Sequence, residues 1–153
     1  MNGARATSPQ PYEVSMKKLI YVLVAIPSLA LANPYDWKVT RVLDGDTVEF
    51  EAKFLPAELG DKLKIRVLGV DTPEKAPRAK CEKEALAGQA ATDFTKKAVA
   101  EGKKIQIEIK EWDKFGGRVL GDVIIDGKKL SDELIKKNLA RPYFGEAKKS
   151  WCE

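Results

Sequence analysis

The chain predicts a small, mainly β fold: a five-stranded OB-type barrel with two or three flanking α-helices. Three observations lead there. Five short runs alternate apolar and polar residues, as half-buried strands do. One long Ala-, Glu- and Lys-rich stretch falls between the third and fourth runs. Tight Gly and Asp turn signals separate the rest. The resulting order β-β-β-α-β-β is that of an OB-type barrel, which removes most sheet edges and leaves a loop-lined face for a ligand.

Trp37 to Leu43 reads as the first strand, with Trp37, Val39, Arg41 and Leu43 on one face. Asp44-Gly45-Asp46 is a turn signal between two β-rich runs. Thr47 to Ala52 is the return strand, with Val48 and Phe50 on the opposite face from Thr47 and Glu49. A loop spans Pro56 to Asp61. Leu63, Ile65, Val67 and Gly69 alternate with Lys64, Arg66 and Leu68, so a third strand runs to about Val70, where Pro73 stops it. Glu82 to Glu101 is the clearest helix by composition. Leu86, Ala90, Phe94 and Ala98 recur every fourth residue and predict its apolar stripe, and Gly102 is its expected C-cap. Ile105, Ile107 and Ile109 mark the fourth strand, Asp113 to Gly117 a turn, and Val119 to Ile125 the fifth strand, closed by Asp126-Gly127. A short helix is expected at about Ser131 to Asn138 with Ser131 as N-cap. The basic, aromatic tail from Ala140 is expected to be irregular.

The 153 residues are not all expected in the mature protein. Met16-Lys17-Lys18, the apolar run Leu19 to Ile26 and Ala30-Leu31-Ala32 form a signal peptide with an A-x-A cleavage site. An uncleaved anchor or a buried strand is the alternative, but the run is shorter than the roughly 20 residues that span a bilayer, and charge, length and cleavage site agree on a signal peptide. Residues 1–15 are polar and read as a non-native or misassigned extension. Asn33 to Glu153 is then a single exported domain, periplasmic or secreted, with no stable membrane association after cleavage and a monomer by default. It keeps 24 basic and 22 acidic residues, too even a balance to argue for nucleic acid on charge alone. Two cysteines, Cys81 and Cys152, fit a disulfide in an oxidising compartment, with two free thiols as the alternative.

The chain contains no histidine, which excludes imidazole base catalysis, Ser-His-Asp triads and His-ligated zinc. Carboxylates, arginines and a hard cation are what remain for hydrolysis. Asp46 opens the second strand and Asp71 closes the third, so a meander brings both to one rim. Two carboxylates there repel unless a cation lies between them, and oxygen-only ligands select Ca²⁺ or Mg²⁺. The Thr72 carbonyl before Pro73 offers a neutral oxygen. Arg66 should point to the same rim, where a guanidinium suits bidentate phosphate binding. Glu74, on the rigid turn after Pro73, could orient or deprotonate a water. Taken singly, Asp44 and Asp46 read more readily as turn formers and Arg66 as a solvated strand residue, and Glu74 has a surface carboxylate as its alternative.

Jointly, D-G-D-T at 44–47 and R-x-L-x-x-D-T-P-E at 66–74 resemble the staphylococcal nuclease (thermonuclease) family, and Asp113-Lys114-Phe115-Gly116-Gly117-Arg118 is similar to its D-K-Y-G-R turn. The resemblance implies one Ca²⁺ ion held by Asp46, Asp71 and the Thr72 carbonyl, with Asp44 just outside the ligand set. It implies Glu74 as the base and Arg66 and Arg118 as phosphate-binding catalytic arginines. Gly117 is an extra residue relative to the family turn and sets Arg118 one position late, with Lys114 as the fallback. Tyr143 and Phe144 are the nearest matches to the family's nucleotide-stacking tyrosines. The implied activity is Ca²⁺-dependent endonucleolytic hydrolysis of DNA and RNA with little sequence preference, leaving 3′-phosphates. The alternative is a nuclease-like OB module that binds nucleic acid without cutting it.

Overall fold

The computed structural model describes Gly3 and residues 37–114 and 116–153. The expected extension (1–15) and signal peptide (16–32) lie outside these residues. Among the described residues no helix is long and apolar enough to cross a membrane.

Strands β1 (Val39–Asp44), β2 (Thr47–Glu51) and β3 (Lys62–Val67) form an antiparallel meander. A two-residue strand β4 (Val70–Asp71) follows the turn at Leu68-Gly69, then helix α1 (Glu82–Glu101), then the hairpin β5 (Ile105–Trp112) and β6 (Arg118–Ile125). Strand β7 (Lys128–Lys129), helix α2 (Leu130–Lys136) and β8 (Arg141–Pro142) complete the order. The main sheet runs β1-β2-β3-β6-β5, with β3 and β6 parallel and the other pairs antiparallel. The predicted class holds: a mainly β protein of OB type with two α-helices among the described residues. Its five long strands are the five expected from the alternation.

That alternation builds the core. Val48, Phe50, Ile65, Val67, Ile107, Val119 and Val123 are almost fully buried, and Leu130 and Leu134 of α2 close one end. Each such side chain contributes about 1.5–3 kcal/mol by leaving water. On β3 the outward residues are Lys62, Lys64 and Arg66, which places cations on the face away from the core.

Four local expectations are corrected. In β1 the pairing slips between Val39 and Arg41 and again between Val42 and Asp44, so Val39 and Val42 pack on the core while Arg41 is exposed and pairs with Glu49. The third strand stops at Val67 rather than Val70. The buried face of α1 is only partly the predicted stripe: Phe94 packs on the core, but Leu86 is 66% exposed, and Glu84, Gly88, Ala91, Thr92 and Thr95 face inward. Around Gly88 and Thr95 the helix lies close against backbone, so small and hydrogen-bonding residues fit there. A Cβ on Gly88 would fall 2.4 Å from the Glu74 carbonyl carbon and oxygen, and the Thr95 hydroxyl donates to the Gly45 carbonyl at 2.6 Å. Finally, α2 begins at Leu130 with Lys129 at its N-cap position, so Ser131 is inside the helix and buried. Gly102 does cap α1, with its N–H on the Ala98 carbonyl, but with φ −64° rather than a left-handed conformation.

Cys81 and Cys152 form the expected disulfide, closing 71 residues of chain. Arg141 stacks over Trp151 at 3.7 Å and donates to the Ser150 carbonyl, so the tail is also held from β8. Loop-closure entropy for a ring this size predicts that replacing both cysteines lowers the unfolding free energy by about 4 kcal/mol. Urea melts of the oxidised protein and the Cys81→Ser/Cys152→Ser variant measure it; equal midpoints would contradict it.

Candidate active site

The three motif segments meet at one end of the meander. The turn after β1 carries Asp46, which is almost fully buried, and its Oδ1 accepts from the Thr47 hydroxyl and from Arg66 Nη1 at 3.1 Å. Its Oδ2 accepts from the Thr72 amide at 3.2 Å, so the D-G-D-T and D-T-P-E segments are joined directly. Register explains the rest: Thr47 faces Arg66 across the β2–β3 ladder, and the turn at Leu68-Gly69 brings Asp71 back beneath the same guanidinium. Arg66 Nη2 lies 3.3 Å from Asp71 Oδ1. One guanidinium thus spans both carboxylates.

Arg66 shares an open cleft with Asp44, Asp46, Thr72, Glu74 and Arg118. Strand β6 runs beside β3 with Arg118 opposite Lys64, one row from Arg66, so these cations share the outer face of the sheet. The extra glycine is absorbed where the sequence departs from the family turn. Gly116 and Gly117 both have positive φ, 67° and 64°, a conformation that side chains resist, and the strand resumes at Arg118. Asp113 accepts from Arg118 Nε at the base of this turn. Arg118 rather than Lys114 lines the cleft.

Glu74 lies at the mouth with a partly exposed side chain. The loop that carries it is pinned from below by Glu84, a buried carboxylate near the start of α1, whose oxygens accept from the Glu74 and Lys80 amides at 3.4 and 2.7 Å. Glu84 stands three residues after the N-cap Cys81, the spacing of a capping box, and that spacing could have revealed it in the sequence. Arg78, which sequence reasoning also missed, donates from Nε to Glu74 Oε2 at 2.8 Å and from Nη2 to Asp44 Oδ2 at 2.6 Å. The hydrogen bond that Arg78 donates to Asp44 is the largest of the causes that raise its pKa above the ordinary value.

Asp71 is reached through Arg66 and is not itself on the cleft wall. It also accepts from Lys148 Nζ at 2.6 Å and from the Trp151 indole at 3.4 Å, both on the disulfide-held tail. Tyr143 and Phe144 flank Gly69: the Tyr143 amide donates to its carbonyl, and Phe144 is 84% exposed. Neither is among the residues lining the cleft.

A divalent ion can be tested against these donors. Asp46 and Asp71 converge on the Arg66 guanidinium, Thr72 lines the same cleft as Asp46, and the donors are all oxygen, which fits a hard cation with water completing the sphere. Among the described residues one cluster of three Cys or acidic ligands falls within a single coordination radius, namely Cys81, Glu84 and Cys152. Its sulfurs are bonded to each other, so it is a structural link and no rival metal centre.

An OB-type domain with paired carboxylates under one arginine and a second arginine on the next strand defines a class of phosphate-handling sites. A family profile described as "Staphylococcal nuclease homologue" matches residues 64–151, more than half of the chain. The thermonuclease of Staphylococcus hyicus is 33% identical over 118 residues, covering 76% of this chain and 64% of that protein. Endonuclease YncB of Bacillus subtilis (strain 168) is 35% identical over 142 residues, covering 92% of this chain and 56% of that protein. Endonuclease YhcR of the same organism is 34% identical over 115 residues, covering 72% of this chain and 9% of that protein. The chain therefore belongs to the staphylococcal nuclease family, and it spans less than two thirds of the length of each of these relatives.

Proposed function

We propose that this chain is a metal-dependent endonuclease that hydrolyses DNA and RNA with little sequence preference and leaves 3′-phosphates. The observation that carries the reading is the single guanidinium of Arg66 spanning Asp46 and Asp71 in a cleft shared with Glu74 and Arg118. A non-catalytic binding module has no need of that convergence.

Asp46, Asp71 and the Thr72 carbonyl would hold one Ca²⁺ ion, whose charge favours an anionic phosphate and the negative charge that develops on it. Arg66 would turn Nε and the second protons of its terminal nitrogens to the phosphate while Nη1 and Nη2 each keep a carboxylate. Arg118 approaches from the neighbouring strand, so two guanidinium groups meet the equatorial oxygens as negative charge grows there. Glu74 sits at the mouth, where it accepts a proton from the attacking water. Contacts made to backbone phosphate carry little base information, which accounts for weak sequence preference. Tyr143 and Phe144, at Gly69 and outside the cleft lining, would offer stacking surface to unpaired bases. The family relationship and the N-terminal signal motif support a catalytic domain, 33–153, exported to the periplasm or medium; a monomer is the default for a barrel of this size.

Plasmid DNA and a single-stranded RNA, incubated with the domain in Ca²⁺ and in a Ca²⁺ chelator, test this. Both polymers are expected to be cut in Ca²⁺ alone, with phosphate on the 3′ ends of the products. Retention of the polymers on the protein without scission would identify a binding module instead.

A further inference from the structure

We propose that Arg78 is a positioning residue for Glu74, with Asp44 as its anchor. The inference rests on the nuclease reading above and extends it to a residue outside the family motifs that point to the site. Arg78 lies four residues after Glu74, and the chain turns back between them through the Arg78 and Ala79 amides on the Lys75 carbonyl. Its guanidinium faces two carboxylates at once: Nε on Glu74 Oε2 at 2.8 Å and Nη2 on Asp44 Oδ2 at 2.6 Å. Asp44 closes β1 and is fixed by the sheet, whereas Glu74 rides on an irregular loop. The same loop is tied to the end of β1 a second time, by Lys75 Nζ on the Leu43 carbonyl at 2.6 Å. The bridge therefore holds one oxygen of Glu74 against a rigid strand and leaves the other to meet water. A base held this way loses less freedom on reaching its working geometry, and misplacement of about 1 Å costs on the order of a hundredfold in rate.

Arg78 is still partly exposed and lines the cleft, so direct phosphate binding is the rival role. The two separate kinetically. Positioning of the base acts on kcat, while a phosphate contact acts on KM and on the salt dependence of binding.

Steady-state cleavage of a single-stranded DNA oligonucleotide in saturating Ca²⁺ tests this, with a urea melt of each variant as the folding check. Arg78→Ala is expected to lose roughly tenfold to a hundredfold in kcat with KM within about twofold. Arg78→Lys should recover little, because an ammonium cannot span two carboxylates as a planar fork does. Free guanidinium should restore part of the rate of Arg78→Ala and none of that of Arg78→Lys. Asp44→Asn should lower kcat in the parent and cost clearly less in the Arg78→Ala background, where what remains is its weaker pairing with Lys75 Nζ at 3.8 Å. If Arg78→Ala fails to fold, the loss confined to kcat in Asp44→Asn carries the test. A raised KM with kcat retained and a salt slope reduced by about one would make Arg78 a phosphate contact and overturn the proposal. Additive losses, or a folded Arg78→Ala at the parental kcat, would overturn it as well. A parent protein that leaves the oligonucleotide intact contradicts the nuclease reading itself, so the two failures are distinguishable.

Discussion

Glu74→Gln is expected to lower kcat by roughly 10²- to 10⁴-fold while leaving the fold and KM close to those of the parent. The amide keeps the size of the side chain and an oxygen that can still accept from Arg78, which the carboxylate does at 2.8 Å. The loop is also held through the Glu74 backbone amide on Glu84, which the substitution does not touch. What disappears is the capacity to take a proton. Initial rates on single-stranded DNA, with a urea melt as the control, give the answer. A Gln variant cutting within about threefold of the parent would remove Glu74 from the base role.

Arg66→Met is expected to damage stability and activity together. Arg66 is the partner of both Asp46 and Asp71, and the three side chains are 15%, 3% and 8% exposed. Removing one member of a buried charge cluster costs about 3–5 kcal/mol, because the remaining charges lose their compensation. The loss should sit at the lower end. Asp71 keeps Lys148 and Trp151, and Asp46 keeps the Thr47 hydroxyl and the Thr72 amide. The rate should fall by about 10²–10³-fold beyond any effect of unfolding, the usual cost of deleting one preorganised donor to developing charge. Arg66→Lys restores a positive charge but not the two-pronged geometry. It should recover stability better than rate, whereas equal recovery of both would mean that Arg66 serves the fold alone.

Much of this arrangement was legible in the sequence, and particular residues show why. Val48, Phe50, Leu63, Ile65 and Val67 alternate without interruption, so β2 and β3 and the outward direction of Arg66 follow from a period of two. The acidic motifs lie at strand ends, where register alone brings Asp46 beneath Arg66. The bulges of β1 were hidden, because a pairing slip is set by the partner strand rather than by the strand's own pattern. The buried face of α1 was hidden for a different reason. Apolar periodicity marks a helix that packs on side chains, whereas this one packs on the backbone at Gly45 and Glu74 and selects Gly88 and Thr95. Arg78 and Lys148 reach their carboxylates from irregular segments, and no periodicity reports such contacts.

Calcium binding to the metal-free protein, followed by titration calorimetry in parallel for the parent and for Asp46→Asn, addresses the central claim most directly. One ion per chain is expected to bind the parent, with affinity reduced by about tenfold or more in the variant as one anionic ligand is lost. Equal affinity in the two proteins, or no calcium binding by a parent that still cuts DNA in a chelator, would contradict the account.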